Sequence, residues 1–216
     1  MMKKLSSTAL FVAAALLGAV PLFAQTADQK QPAAQQKKQP PPPPLPGAGT
    51  GGSTPHFTTS AVIGPNRREG GMVTISYGRP FATHPRKGGE PRKIWGGLVP
   101  YGKADRLGAD EATLLVNEHP IEIAGTIIPS GAYTLYIVAS ESGPSKLAFS
   151  KHIGKWGVPV DETADLVRVD LKRDTLPESV DQLTITIENA PTGSMNGFVK
   201  IMWAKTQFSL PFVLKK

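Results

Sequence analysis

Apolar and polar residues alternate along several short stretches of this chain, and that period of two limits its fold most. Residues 183–188 read Leu-Thr-Ile-Thr-Ile-Glu, and residues 167–171 read Val-Arg-Val-Asp-Leu. Successive side chains of a β-strand point to opposite faces, so each stretch places apolar side chains on a core and polar ones in solvent. The pattern recurs, fully or nearly, at four further stretches: 72–77, 112–116, 199–203 and 208–212.

The stretch 133–138 differs, because it is apolar on both faces and therefore predicts a central, covered strand. Turn residues separate the strands: 128–131 fit a type I turn, and 117–120 could close a hairpin. Pro211 indicates an edge strand or a bulge. No window after the N-terminal apolar run has the helical period. The sequence therefore predicts an all-β domain, an antiparallel β-sandwich for which a jelly-roll-like topology is one form.

Residues 1–24 have the three parts of a cleavable signal peptide. Lys3 and Lys4 come first, an uncharged apolar run follows at 9–20, and a proline with a small residue precedes the expected cut after Ala24. The run is shorter than the roughly 20 apolar residues that a membrane span needs. We therefore expect an exported protein, periplasmic or extracellular, with no transmembrane segment in the mature chain.

Residues 25–56 have the composition of a disordered linker. They are rich in Gln at first, then contain five consecutive prolines at 40–44 and a Gly-rich stretch at 47–53. So few apolar side chains cannot offset the entropy of ordering. This leaves 57–216 as the β-sandwich domain. The sequence has no cysteine, so disulfides and thiolate metal sites are excluded.

The positive charge of the chain is concentrated in one region of the domain. The whole chain carries +7, but its N-terminal 56 residues account for four of those charges, which leaves +3 for 57–216. Such a balance, together with export, argues against a nucleic-acid partner. Within the domain, 79–106 carries seven basic and two acidic residues, a net +5.

This basic region also contains aromatic residues and two Gly-Gly pairs, a composition that suits an anionic or glycan ligand. We therefore expect a binding or interaction module with 79–106 as its contact surface. In the alternative interpretation, Trp95 and its apolar neighbours plug the end of the sandwich. The candidate ligand-binding residues are Arg79, Arg92, Lys93, Trp95, Tyr101, Arg106 and Glu111.

Catalysis has weaker support in the sequence. The four histidines, at 56, 84, 119 and 152, have no metal-ligand spacing, and the chain has no G-x-S-x-G elbow and no phosphate-binding loop. We therefore assign no catalytic residue, metal or cofactor. The alternative function is a hydrolase acting on an envelope polymer, with Arg79, Arg106, Glu111 and a histidine in one pocket.

Residues 92–103 read Arg-Lys-Ile-Trp-Gly-Gly-Leu-Val-Pro-Tyr-Gly-Lys, and Gly-Ala-Asp-Glu-Ala-Thr follows at 108–113. These motifs resemble the exported bacterial proteins known as domain of unknown function 2911. The resemblance covers 57–214 and implies a secreted β-sandwich without an assigned activity. Where that family usually has Trp, Thr and Asn, this chain has Asp105, Leu107 and Asp110, so a pocket that used the tryptophan is altered here. Further similar stretches lie at 75–80, 129–133, 155–157 and 203–212.

Overall fold

A computed structural model describes residues 54–84 and 89–216. The predicted signal peptide (1–24) and residues 25–53 of the predicted linker lie outside these ranges. The first six strands are β1 (His56–Ile63), β2 (Gly71–Gly78), β3 (Thr83–His84), β4 (Glu90–Pro91), β5 (Ala104–Arg106) and β6 (Thr113–Asn117). The others are β7 (Ile121–Ile123), β8 (Thr126–Ile128), β9 (Gly131–Val138), β10 (Ser145–Ser150), β11 (Asp165–Asn189) and β12 (Asn196–Leu214). One turn of 3-10 helix, Glu162–Ala164, precedes β11.

The strands form one continuous hydrogen-bonded path in the order β1-β2-β6-β9-β10-β11-β12-β7-β8, with β5 added beside β9. β3 and β4 form a separate small hairpin. Every strand pair is antiparallel, which confirms the predicted all-β class. No helix in the described ranges is long and apolar enough to cross a membrane.

Two long strands convert this path into two layers. The first part of β11, up to Leu171, pairs with β10, and the rest, from Lys172 onward, pairs with β12. The register shifts between Thr175 and Thr184, and Ala204 in the facing part of β12 has a φ of 50°. Bulges of this kind bend a strand. The alternating stretches at 167–171 and 183–188 are therefore two halves of one bent strand rather than separate strands.

The two layers face each other across one apolar core. The Tyr77 hydroxyl of β2 donates to the carbonyl oxygen of Ile185 (3.2 Å) and accepts from its N–H (2.8 Å). Residues after β2 continue onto the edge of β11, where the Leu183 N–H donates to the Pro80 oxygen at 3.0 Å. The predicted sandwich is therefore confirmed. The buried side chains of both layers include Val73, Ile75, Leu115, Leu135, Leu147, Leu183, Ile185 and Ile201.

β9 is central and covered on both faces, as predicted. Tyr133, Leu135 and Ile137 belong to the core between the layers. On the other face, Thr134 Oγ1 donates to the oxygen of His152 (2.8 Å), and the Tyr136 hydroxyl donates to Asp165. The segment that follows β10 therefore covers the outer face of β9 and brings residues 152–161 beside it.

Candidate functional site

Trp95 lies in the core and not on a binding surface. Trp95 is only 9% exposed, and its ring packs edge-on against Trp203 (6.2 Å between ring centroids) and Phe208 (5.0 Å). Ile94 and Val99 beside it are also buried. The alternative interpretation, in which this stretch plugs the sandwich, is therefore the correct one for Trp95.

The loop around Trp95 is a tight turn that requires glycine at Gly96. The Gly96 N–H donates to the Val99 oxygen and the Val99 N–H donates to the Ile94 oxygen, both at 2.8 Å. Gly96 has a φ of 75°, and a Cβ there would lie 2.5 Å from the ring of Tyr101. Tyr101 is half-buried because its ring packs on Gly96, whereas Lys93 is exposed.

The Arg79 side chain also has a structural role, since it binds a neighbouring strand. Its Nε donates to the oxygen of Leu183 (3.0 Å) and its Nη2 donates to Thr184 Oγ1 (2.9 Å). Its guanidinium lies 5.4 Å from the centroid of the Phe57 ring. Arg79 therefore anchors the chain leaving β2 to the edge of β11 through two of its N–H donors.

Arg92 and Arg106, by contrast, line a common cavity of about 600 Å³, which we call the arginine cavity. Most of its wall comes from the predicted basic region. Its described lining residues are Thr54, Pro55, Pro80, Phe81, His84, Arg92, Leu98, Val99, Asp105, Arg106, Gly108, Ala109, Val158 and Trp203. Residues 85–88, with the basic Arg86 and Lys87, lie outside the described residues.

Two buried donors on the wall of this cavity have no acceptor among the described residues. Arg92 uses Nη2 to bind the oxygen of Phe81, but its Nε–H is unpaired. The Nε1–H of Trp203, a residue that is 3% exposed, is unpaired as well. A buried unpaired polar group costs about 1–3 kcal/mol. Such groups are rare in native proteins, and each of these two N–H groups can still donate to an oxygen atom. The Nε1–H of Trp95 is likewise unpaired, but Trp95 does not line the cavity.

Asp105 supplies the carboxyl group of the arginine cavity. Burial raises the pKa of Asp105, and the neighbouring Arg106 guanidinium partly offsets that effect. The cavity is thus lined by two guanidinium groups and one carboxyl, which gives these three side chains an excess of positive charge. Asp105 is also one of the residues at which the sequence resemblance predicted an altered pocket.

Arg106 is held by the turn that follows β5. Its Nη1 donates to the oxygen of Asp110 (2.8 Å) and, at 3.4 Å, to the oxygen of Trp156. Asp110 has a φ of 62°, and its Oδ2 accepts from the N–H of Thr54 (2.8 Å). Asp and Asn are the non-glycine residues that best tolerate this left-handed conformation, so Asp110 fits there.

Glu111 lies in a different depression, on the outer face of the sheet formed by β1, β2, β6 and β9. Its Oε2 is 2.6 Å from Nε2 of His56, and both side chains are about half exposed or more. This outer groove has a volume of about 730 Å³. Among the cavities described, none is lined by all of Arg79, Arg106 and Glu111. The pocket that the hydrolase alternative requires is therefore not assembled from these residues.

The described residues contain no group of three or more His, Cys, Asp or Glu side chains that could hold a metal ion. His152 instead pairs with Asp161, with 2.9 Å between Nδ1 and Oδ2. Sequence reasoning missed Trp203 and Trp156 as wall residues of cavities. Trp156 stands between exposed Lys155 and a glycine, a local sign of a loop tryptophan, whereas nothing local distinguishes Trp203 from other core residues of its strand.

Comparisons with known proteins give a family and no activity. A family model described as "Protein of unknown function (DUF2911)" matches residues 61–212, almost the entire described domain. No curated protein matches the chain, and no solved structure matches it. The motifs around Trp95 and Tyr101 lie inside the matched range, so the resemblance predicted from them is confirmed. The chain belongs to the family of proteins of unknown function DUF2911.

Proposed function

We propose that this protein is an exported, non-enzymatic binding module whose arginine cavity takes an anionic ligand through its oxygen atoms. The observation that carries the proposal is the pair of unpaired buried donors, Arg92 Nε–H and Trp203 Nε1–H, on residues that line one cavity. A carboxylate or a similar oxyanion in the cavity would offer an acceptor to each donor after a small movement of the Arg92 and Trp203 side chains.

The wall of the cavity has the chemistry of a small-molecule site. Pockets of about 300–1,000 Å³ with mainly apolar walls and a few placed polar groups are typical ligand sites. Here Phe81, Leu98, Val99 and Val158 provide apolar wall, while Arg92 and Arg106 provide positive charge. Guanidinium groups bind carboxylates at two points, which favours an anionic ligand over a neutral one.

The location is part of the same proposal and rests on the N-terminal sequence. Two lysines, a short apolar run and a small residue before the expected cut are the features of an export signal. A periplasmic or extracellular domain meets acidic sugars, organic acids and anionic envelope polymers. Among these, glucuronate and citrate are convenient probes because both carry carboxylates and fit a cavity of this size.

Isothermal titration calorimetry with glucuronate and citrate at low salt tests the proposal. Arg92→Gln removes the guanidinium from the cavity wall, and Lys93→Gln removes a positive charge from the exposed neighbour outside it. We expect the protein to bind at least one of these anions. Arg92→Gln should weaken that binding about tenfold or more, which corresponds to about 1.4 kcal/mol, and Lys93→Gln should change it less than twofold.

Two outcomes would contradict the proposal. The first is that neither anion gives binding heat with the wild-type protein. The second is that the two variants weaken binding equally, since this would mean that general surface charge, and not the cavity, attracts the anion.

A further inference from the structure

We propose that the outer groove is a second, independent binding site, and that it takes an uncharged oligosaccharide with Trp156 as the stacking platform. The site does not overlap the arginine cavity, because the two depressions share no described lining residue. The floor of the groove, its aromatic wall and its charge each suit such a ligand.

The floor is a row of side chains on one face of the sheet. Thr58 pairs with Ser76, Ser76 with Leu114, and Leu114 with Thr134. Directly opposed residues of antiparallel strands point to the same face, so these four lie side by side. The Thr58 and Ser76 hydroxyls are 2.8 Å apart and exposed, and each keeps further hydrogen-bonding capacity. The floor thus offers hydroxyls beside the apolar Leu114.

The wall is formed by the loop that carries Trp156, and this loop is clamped to the sheet. The Lys155 oxygen accepts from the N–H of Ala112 at 3.2 Å. Gly157, with a φ of 86°, lies so close that a Cβ there would be 3.1 Å from the Cβ of Ala112. The loop is therefore held in position before any ligand arrives, which lowers the entropic cost of binding.

The Trp156 ring is both exposed and supported. The residue is 54% exposed, an unusual state for so large an apolar side chain. The Arg106 guanidinium lies 5.8 Å from the ring centroid, within the range of a cation–π contact that steadies the ring. The C–H faces of a sugar ring are apolar while its hydroxyls project sideways. An exposed indole beside a hydroxyl-lined floor suits both parts of such a ring.

The charge of the groove favours an uncharged ligand. His56 and Glu111 lie at its side and form an ion pair, so their charges compensate when the histidine is protonated. Lys155 is the remaining charged group of the described lining. The imidazole and carboxylate together can donate to and accept from adjacent hydroxyls of a sugar. The arginine cavity has two guanidinium groups and only one carboxyl, so the two sites differ in the ligand that they select.

Titration of tryptophan fluorescence with chitotetraose, cellotetraose and maltotetraose tests this inference. Trp156→Ala removes the platform, and Ile153→Ala is its matched control, because Ile153 is 48% exposed on the same loop but lines none of the cavities. Glu111→Gln keeps the size of the side chain and removes its charge. Calorimetry repeats each titration, since Trp156→Ala also removes a fluorophore, and circular dichroism establishes that each variant is folded.

We expect at least one tetrasaccharide to bind, Trp156→Ala to weaken binding tenfold or more, Glu111→Gln to weaken it severalfold, and Ile153→Ala to leave it unchanged. Absence of binding to all three sugars overturns the inference, as does binding that survives Trp156→Ala. Dimerisation of the wild-type protein that Trp156→Ala abolishes would also overturn it, because a second copy would then be the occupant. Arg92→Gln should leave sugar binding unchanged, so failure of this inference and failure of the proposed anion site are separable.

Discussion

Trp95 and Trp156 have similar sequence neighbourhoods and opposite structural roles. Each precedes a glycine, and each has a lysine within two residues before it. Trp95 is buried against Trp203 and Phe208, more than 100 residues away in sequence, whereas Trp156 is 54% exposed. Local composition therefore identifies a tryptophan in a loop, but it does not show whether the ring packs in the core or lies in solvent. That outcome depends on which distant strand passes beneath the loop.

Stability measurements should separate the two tryptophans most strongly. Trp95→Ala removes a core ring and leaves a cavity, so we expect the free energy of unfolding to fall by about 3–5 kcal/mol. Trp156→Ala removes an exposed ring and should change stability by about 0.5 kcal/mol or less. Urea unfolding of both variants measures this. Equal losses would contradict the assignment of one ring to the core and the other to the surface.

Two glycines in the loop around Trp95 test whether the packing of Tyr101 stabilises that loop. Gly96 and Gly102 have almost the same φ, 75° and 72°, but only at Gly96 would a Cβ meet a ring, that of Tyr101. Substitution by alanine should cost both positions about 1–2 kcal/mol in backbone strain. Gly96→Ala should cost about 1–3 kcal/mol more because of the clash. If thermal or urea unfolding shows equal losses, the packing of Tyr101 on Gly96 is not what holds the loop.

Tyrosines extend the same contrast between core and surface. Tyr77→Phe removes the hydroxyl that bonds both backbone groups of Ile185 across the layers, which leaves them unpaired and buried. We expect a loss of about 1–3 kcal/mol in the free energy of unfolding. The matched change Tyr101→Phe, in a ring that packs on Gly96, should have a much smaller effect. A neutral Tyr77→Phe would mean that the two layers do not depend on this contact.

Substitution of Asp105 should give the smallest change in the free energy of unfolding, and this change should depend on pH. Because burial raises its pKa in the folded state, its contribution to stability is fully present below the unfolded-state pKa of about 3.9 and is lost as pH rises through the folded-state pKa. Asp105→Asn has no such loss. The variant should therefore gain stability relative to the wild type as the pH rises above about 4, measured by urea unfolding at each pH. A difference that is constant with pH would contradict this.

The sequence was sufficient for the fold class, because alternation at 72–77, 112–116 and 183–188 depends only on the strand period. It was insufficient for the joining of strands. The bends in β11 and β12 arise from bulges near Val180 and Ala204. Pro177 lies beside the first bulge, but no turn residue marks the second.

The candidate site was predicted in part. The basic region 79–106 supplies much of the wall of the arginine cavity. Arg79, however, donates to the backbone of β11, and Trp95 packs in the core. Trp203, which completes the cavity, comes from a strand about 100 residues later. Only tertiary packing decides what each arginine contacts, so spacing along the chain could not separate Arg79 from Arg92.

The most direct test of the central claim is the ¹⁵N–¹H spectrum of the indole groups during titration with the anion that calorimetry identifies. The chain has three tryptophans and should give three indole signals, which single Trp→Phe variants assign. We predict that a saturating concentration of the anion moves the Trp203 signal downfield, because its Nε1–H gains an acceptor. The Trp156 signal should stay in place. A bound anion that leaves the Trp203 signal unmoved would contradict the claim that the unpaired donors of the arginine cavity receive the ligand.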